Sequence, residues 1–155
     1  MRERLPDTRY GFTTKLSLYD SLDSGEVDKV NVYIICNAYD DGRPAEIFLI
    51  INNADARMVG FSGSWAIATS LDLQSEVPFS KIFEKFFNQN FPPQGATNNP
   101  DIPMCKSIPD FVVKWIQKQF PDKSSDAILQ VSDAVIATEE LARDVHLSKP
   151  ISEET

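Results

Sequence analysis

A chain of 155 residues is the length of one ordinary domain, and 42% hydrophobic residues with ten phenylalanines supply a sizeable core. A formal charge of −8 argues against a general binder of nucleic acid or of anionic membrane, which would be basic. Cys36 and Cys105 stand in unlike contexts with a single His146, too few ligands for a structural zinc.

The opening "MRERLPDTRYGF" has no apolar core for a signal peptide, and no apolar run approaches the roughly 18 residues that span a bilayer. A cytoplasmic protein with two free thiols is expected. Charge is uneven along the chain. Residues 1–15 carry Arg2, Arg4, Arg9 and Lys15 against Glu3 and Asp7, whereas acids collect at 20–28, 38–41 and 139–154. A local basic site on an acidic body is therefore open.

Residues 11–20 alternate polar and apolar side chains, as a half-buried strand does. Residues 29–39, "KVNVYIICNAY", are rich in β-branched and aromatic residues and predict a second strand. Asp41-Gly42 supplies positive φ for a hairpin connection, and "AEIFLIINN" (45–53) is the return strand. The period changes after Gly60. Residues 64–77 predict a central helix broken by Pro78, and Phe79, Ile82, Phe83, Phe86 and Phe87 form a helical stripe behind it.

Residues 91–110, "FPPQGATNNPDIPMCKSIPD", hold five of the ten prolines and predict a stiffened, ligand-facing loop running into a helix start. Ser107 to Asp110 fits a capping box. Ile108, Phe111, Val112, Trp115 and Ile116 make the buried face of the next helix, which Pro121 ends. Trp65 and Trp115 both fall on helical stripes and are expected in the core. A further helix is expected over 124–145, with 146–155 as a flexible acidic tail. Strands first and helices after predict a single α+β domain over 1–145. In it, a small antiparallel N-terminal sheet of three or more strands packs against three to four helices.

Catalytic inventory is poor. A Ser-His-Asp or Cys-His arrangement would have to run through His146, and no P-loop or GxGxxG occurs. Two binding signals remain. Arg9, Thr13 and Lys15 lie before and along the first strand, with Thr13 and Lys15 on one face; a forked donor set beside a point charge suits phosphate oxygens. The plain alternative is a surface strand with ordinary charges. Lys106-Ser107 stands at a helix start, where free N–H groups attract anions, although capping alone explains the serine. Gly95, Thr97, Asn98 and Asn99 could meet the polar edges of a base or sugar, and Phe91 is either a stacking ring or a buried anchor.

Several separated stretches then agree with one family. "RERLPDTRYGFTTKLSL", "YDDGRPAEIFLII", "VGFSGSWAIATSLDLQSEVP" and "FPPQGATNNPDIPMCKSIPDFVVKWI" occur in that order. Together they resemble the C-terminal, TSCPD-type domain of adenosylcobalamin-dependent (class II) ribonucleotide reductases. The matching positions are Arg2, Leu5, Pro6, Arg9, Thr13 and Lys15, the hairpin Asp41 to Phe48, the element Ser70 to Pro78, and the run Pro93 to Asp110. The resemblance covers roughly residues 2–120.

These 155 residues do not contain the reductase barrel with its radical cysteine and redox pair, nor the cysteine-rich tail that often closes such enzymes. The expectation is a stand-alone, non-catalytic binder of a nucleotide-like small molecule, with no cofactor and no metal. By analogy with phage sponges, it would sequester cyclic-nucleotide or ADP-ribose-type immune signals as a homo-oligomer, with the Phe-rich helix as an interface. The alternative is an accessory subunit docking on the catalytic chain of a split reductase.

Overall fold

Apolar residues recur at every second position in the first two strands, at Leu16 and Leu18 and at Val30, Val32, Ile34 and Cys36, and all six are buried. That period can only be satisfied by a sheet with one sealed face. In the computed structural model, which describes residues 1–121, this sheet has five strands. They are β1 (Tyr10–Ser21), β2 (Val27–Ala38), β3 (Pro44–Asn52), β4 (Gly95–Thr97) and β5 (Met104–Cys105), in the order β3-β2-β1-β4-β5. All pairings are antiparallel. Gly42 adopts φ 90° in the connection between β2 and β3, as the Asp-Gly signal requires.

Three helices accompany the sheet among the described residues: α1 (Ala56–Gln74), α2 (Phe79–Phe86) and α3 (Ile108–Gln119). The arrangement is α+β, as the order of elements predicts. The helix expected over 124–145 and the tail 146–155 lie outside the described residues.

The first helix starts eight residues earlier than the sequence period suggests. Asp55 caps it, accepting from the Met58 amide at 2.9 Å, and Gly60 and Gly63 lie inside it. Each glycine costs about 1 kcal/mol relative to alanine, so tertiary packing must hold this turn of helix. That packing is visible at the sheet edge. Ser70 Oγ accepts the outward amide of Ile47 at 2.8 Å, and Gln74 Nε2 donates to the Ala45 carbonyl at 3.1 Å. Residues four apart on the helix thus meet residues two apart on β3, and α1 covers an edge that would otherwise be open to strand pairing. Ala66, Thr69 and Leu73 turn inward beside this line.

Ile47 is buried, so Ser70→Ala leaves its amide without a partner. The expected cost is about 1–3 kcal/mol in urea unfolding; a change within about 0.5 kcal/mol would mean that α1 is held by apolar packing alone.

The helix ends at Gln74, and Glu76 takes φ 67° in the turn that follows. Pro78 therefore caps α2 rather than ending α1. The phenylalanine stripe faces inward, with Phe79, Phe86 and Phe87 half-buried. Ile82 and Phe83 are buried, the Phe83 and Phe87 rings stack at 5.0 Å, and Trp65 meets Phe86 edge-on at 5.2 Å. An interface through Phe83 is not available on this surface. Helix α3 is buried nearly all round. Ile108, Phe111, Val112, Trp115 and Ile116 are joined by Val113, Asp110 and Gln117, and Phe120 at its end packs edge-on to Phe12 at 5.3 Å.

Candidate functional site

Strand register decides which side chains share the sheet's second face. The cross-strand rows are Gly11–Asn37–Glu46, Thr13–Ile35–Phe48, Lys15–Tyr33–Ile50 and Ser17–Asn31–Asn52. This face points away from the sealed one. Thr13, Lys15, Phe48 and Ile50 are exposed on it, and Tyr33 and Ile35 are half-buried. A polar, basic column from β1 therefore runs beside an aromatic and aliphatic column from β2 and β3. Lys15 Nζ lies 5.7 Å from the centre of the Tyr33 ring, within cation–π range.

Arg9 joins the same face from just ahead of β1. Its Nε is 2.8 Å from Glu46 Oε1, and Asn37 Nδ2 donates to that same oxygen at 2.7 Å. Glu46 is almost buried, and its charge would be costly without the guanidinium. Gly11 sits in this row because any Cβ would strike the Cys36 carbonyl and Asn37.

The proline-rich stretch is a hairpin rather than a loop. Gly95 pairs with Cys105 and Ala96 with Met104, and β4 lines up along Leu18–Asp20 of β1. Gly95 has φ 140° and lies so close to the Tyr19 carbonyl that no side chain fits. Asn98 clamps the junction, with its Oδ1 accepting the Ser17 amide at 2.7 Å and its Nδ2 donating to the Lys15 carbonyl at 2.9 Å. Thr97 Oγ1 bonds the Ile102 carbonyl and accepts the Asn99 amide at 3.1 Å, while Asn99 Oδ1 accepts the Asp101 amide at 2.9 Å. These side chains shape the turn from within.

At the far end of the hairpin, the exposed Phe91 bonds its amide to the Lys106 carbonyl at 3.0 Å. Ser107 is wholly buried and caps α3 by accepting the Asp110 amide at 3.1 Å, so this helix start is an interior one. The ten positions singled out in the sequence thus fall into three groups. Arg9, Thr13 and Lys15 share the open face with Asn98 behind their strand; Gly95, Thr97 and Asn99 build the hairpin and its turn; Phe91, Lys106 and Ser107 gather at the start of α3. Sequence reasoning missed Tyr33, Ile35, Phe48 and Ile50. Their signal was available in the apolar residues on both sides of the second and third strands, Tyr33 and Ile35 in β2 and Phe48 and Ile50 in β3.

Neither thiol offers a nucleophile at neutral pH. Burial, helped by the nearby Glu46 charge, pushes Cys36 up to about 12. Burial and then Asp110 push Cys105 up to about 11. Among the described residues no three His, Cys, Asp or Glu side chains gather as metal ligands. No described helix is long and apolar enough to cross a membrane.

The architecture is a small α+β domain whose exposed chemistry sits on one sheet face and one hairpin. The chain belongs to the TSCPD domain family, which matches it over residues 12–120. It is similar to the vitamin B12-dependent ribonucleotide reductase of Rhodopirellula baltica, 36% identical over 115 residues, or 74% of this chain and 10% of that protein. Reductases of the same name from Streptantibioticus cattleyicolor and Agrobacterium fabrum are 32% identical over 120 residues and 31% over 133. They are covered over 18% and 10% of their length, against 77% and 85% of this chain. The chain therefore spans less than a fifth of the curated relatives it matches. No solved structure matches it.

Proposed function

We propose that the open face of β1, β2 and β3 binds a nucleotide-like small molecule without transforming it. One observation carries this reading: a basic column, Lys15 with the Thr13 hydroxyl and Arg9 held beside them by Glu46, lies next to a ring-bearing column of half-buried Tyr33 and exposed Phe48. A base is flat and apolar on its faces, and its phosphates are anionic, so the two columns match its two parts. The hairpin supports this face through Asn98, with Gly95, Thr97 and Asn99 fixing its turn. Phe91, Lys106 and Ser107 stand at the start of α3 and are not part of this face, Ser107 being wholly buried in its capping role. Sequestering a nucleotide-type signal, as a sponge does, is the role that suits a binder without a nucleophile.

Calorimetry against mono-, di- and cyclic nucleotides and ADP-ribose derivatives tests the reading. Lys15→Ala and Tyr33→Ala are each expected to weaken binding by about 1–3 kcal/mol, the range for a charged hydrogen bond or a stacked base. Wild-type affinity in both variants would remove this face from the site.

A second reading rests on the relatives. Each is a far longer protein named a vitamin B12-dependent ribonucleotide reductase, so the same face could dock on a catalytic chain. The exposed Phe48 and Ile50 favour this. Co-purification with such a chain, lost on Phe48→Asp, would support it over the first.

A further inference from the structure

The bonds made by Asn98 show how β1 is oriented. The Ser17 amide and the Lys15 carbonyl both point to the β4 side, away from β2. Main-chain direction alternates along a strand, so Gly11 and Thr13 point their amides and carbonyls the same way. Yet β4 reaches only Leu18–Asp20. From Tyr10 to Thr14 this side of β1 meets no described strand, and Tyr10 is 83% exposed and Phe12 48%.

Open edges are normally blunted by proline, lysine, a bulge or a covering helix. The β3 edge has α1, and β5 is only two residues long. The run Tyr10–Thr14 contains no proline or charge, and its ladder to β2 has no register shift. The preceding chain also leaves this strip clear. Arg9 reaches to Glu46, while Arg2 and the Glu3 amide bond Gln74 at the end of α1. Phe120, whose ring meets Phe12 edge-on at 5.3 Å, still leaves Phe12 48% exposed.

We propose that this edge pairs with the same edge of a second copy of the chain, antiparallel, about a two-fold axis at Phe12. In that register the outward groups of Gly11 meet those of Thr13 in the second copy, and reciprocally, giving four main-chain hydrogen bonds. Phe12 then faces its own counterpart in a non-hydrogen-bonded pair, where side chains come closest. An axis at Thr13 would set Gly11 against Lys15, whose carbonyl Asn98 already occupies; an axis at Gly11 would need Arg9, which has left the strand for Glu46. The strip is thus self-complementary in one register, which a two-fold contact requires. A strip of five residues, Tyr10–Thr14, is short beside the roughly 20–30 residues a side of stable complexes, so the dimer depends on concentration. Each copy carries a charge of −8, so added salt favours it by screening repulsion.

Sedimentation equilibrium over a tenfold concentration range is expected to show a monomer–dimer equilibrium that shifts toward dimer with salt. Thr13→Pro removes one outward amide without touching the bonds to β2. It is expected to be monomeric throughout with an unchanged far-UV spectrum. Oxidised Phe12→Cys is expected to give a covalent dimer on a non-reducing gel, because opposed residues of such a pair lie within disulfide reach. Tyr10→Cys, which would face Thr14 instead, gives none. Cys36 and Cys105 are buried and leave the background clean. A wild type that stays monomeric at every concentration overturns the proposal, as does a dimer untouched by Thr13→Pro. If the proline variant fails to fold, equal cross-linking through positions 10 and 12 overturns it.

Discussion

Replacing Asp110 by alanine is expected to cost the fold about 3–5 kcal/mol, the range for removing one partner of a buried charge pair. Its carboxylate is fully buried and accepts three hydrogen bonds: from the Asn88 amide at 2.6 Å, the Lys106 amide at 2.9 Å and Lys114 Nζ at 2.9 Å. Those donors come from three places in the chain. Asn88 stands in the turn after α2 with φ 60°, Lys106 precedes the α3 cap, and Lys114 is one turn along α3. Lys114 also bonds Asn88 Oδ1 at 3.3 Å and lies over the Phe87 ring at 5.0 Å. One carboxylate therefore ties the α2 end, the β5 exit and α3 together. Without it, two amides lose their acceptor and a largely buried ammonium loses its counter-charge. Asp110→Asn keeps acceptor capacity but not charge, and should fall between alanine and wild type. Urea unfolding at neutral pH measures both; a loss under about 1 kcal/mol for alanine would show that solvent replaces the carboxylate freely.

The same residue shows where the sequence speaks and where it is silent. Ser107-Ile108-Pro109-Asp110 reads as a capping box, and the serine does cap α3. The Asp110 side chain, however, turns to Asn88 and Lys114, partners that only the packed fold supplies. Period-two alternation revealed β1, β-branched and aromatic composition revealed β2, and the Asp41-Gly42 turn placed β3 as the return strand, because all three signals are local. The early start of α1 was hidden by Gly60 and Gly63, whose local cost is offset by bonds from Ser70 and Gln74 to a distant strand edge. Strands β4 and β5 have three and two residues, too few for any period to show. For the candidate site, one column of the face was legible from Thr13 and Lys15. The other depended on register, since only pairing sets Tyr33 beside Lys15 and Phe48 beyond Ile35.

The phenylalanine stripe gives the sharpest contrast between pattern and placement. Phe83→Asp is expected to abolish cooperative folding rather than dissociate an oligomer. Phe83 is only 5% exposed, stacked on Phe87 and edge-on to Phe79 at 6.3 Å. No described cation pairs with it in an ion pair or ring contact, so a carboxylate there would be buried unpaired. Such a group costs several kcal/mol even after relaxation, on top of the lost ring packing, about 3–5 kcal/mol for a core phenylalanine. Together these approach the 5–15 kcal/mol that holds a domain folded. Phe61→Asp is the matched control, because Phe61 is 79% exposed on α1 and should change stability by no more than about 0.5 kcal/mol. Circular-dichroism melts of the two variants separate the cases. If Phe83→Asp instead melts cooperatively, as a monomer where the wild type is a dimer, the stripe is an interface and the packing of α2 against α3 opens in solution. If it loses its transition while Phe61→Asp keeps one, the stripe is core, and self-association has to be sought at the open edge of β1.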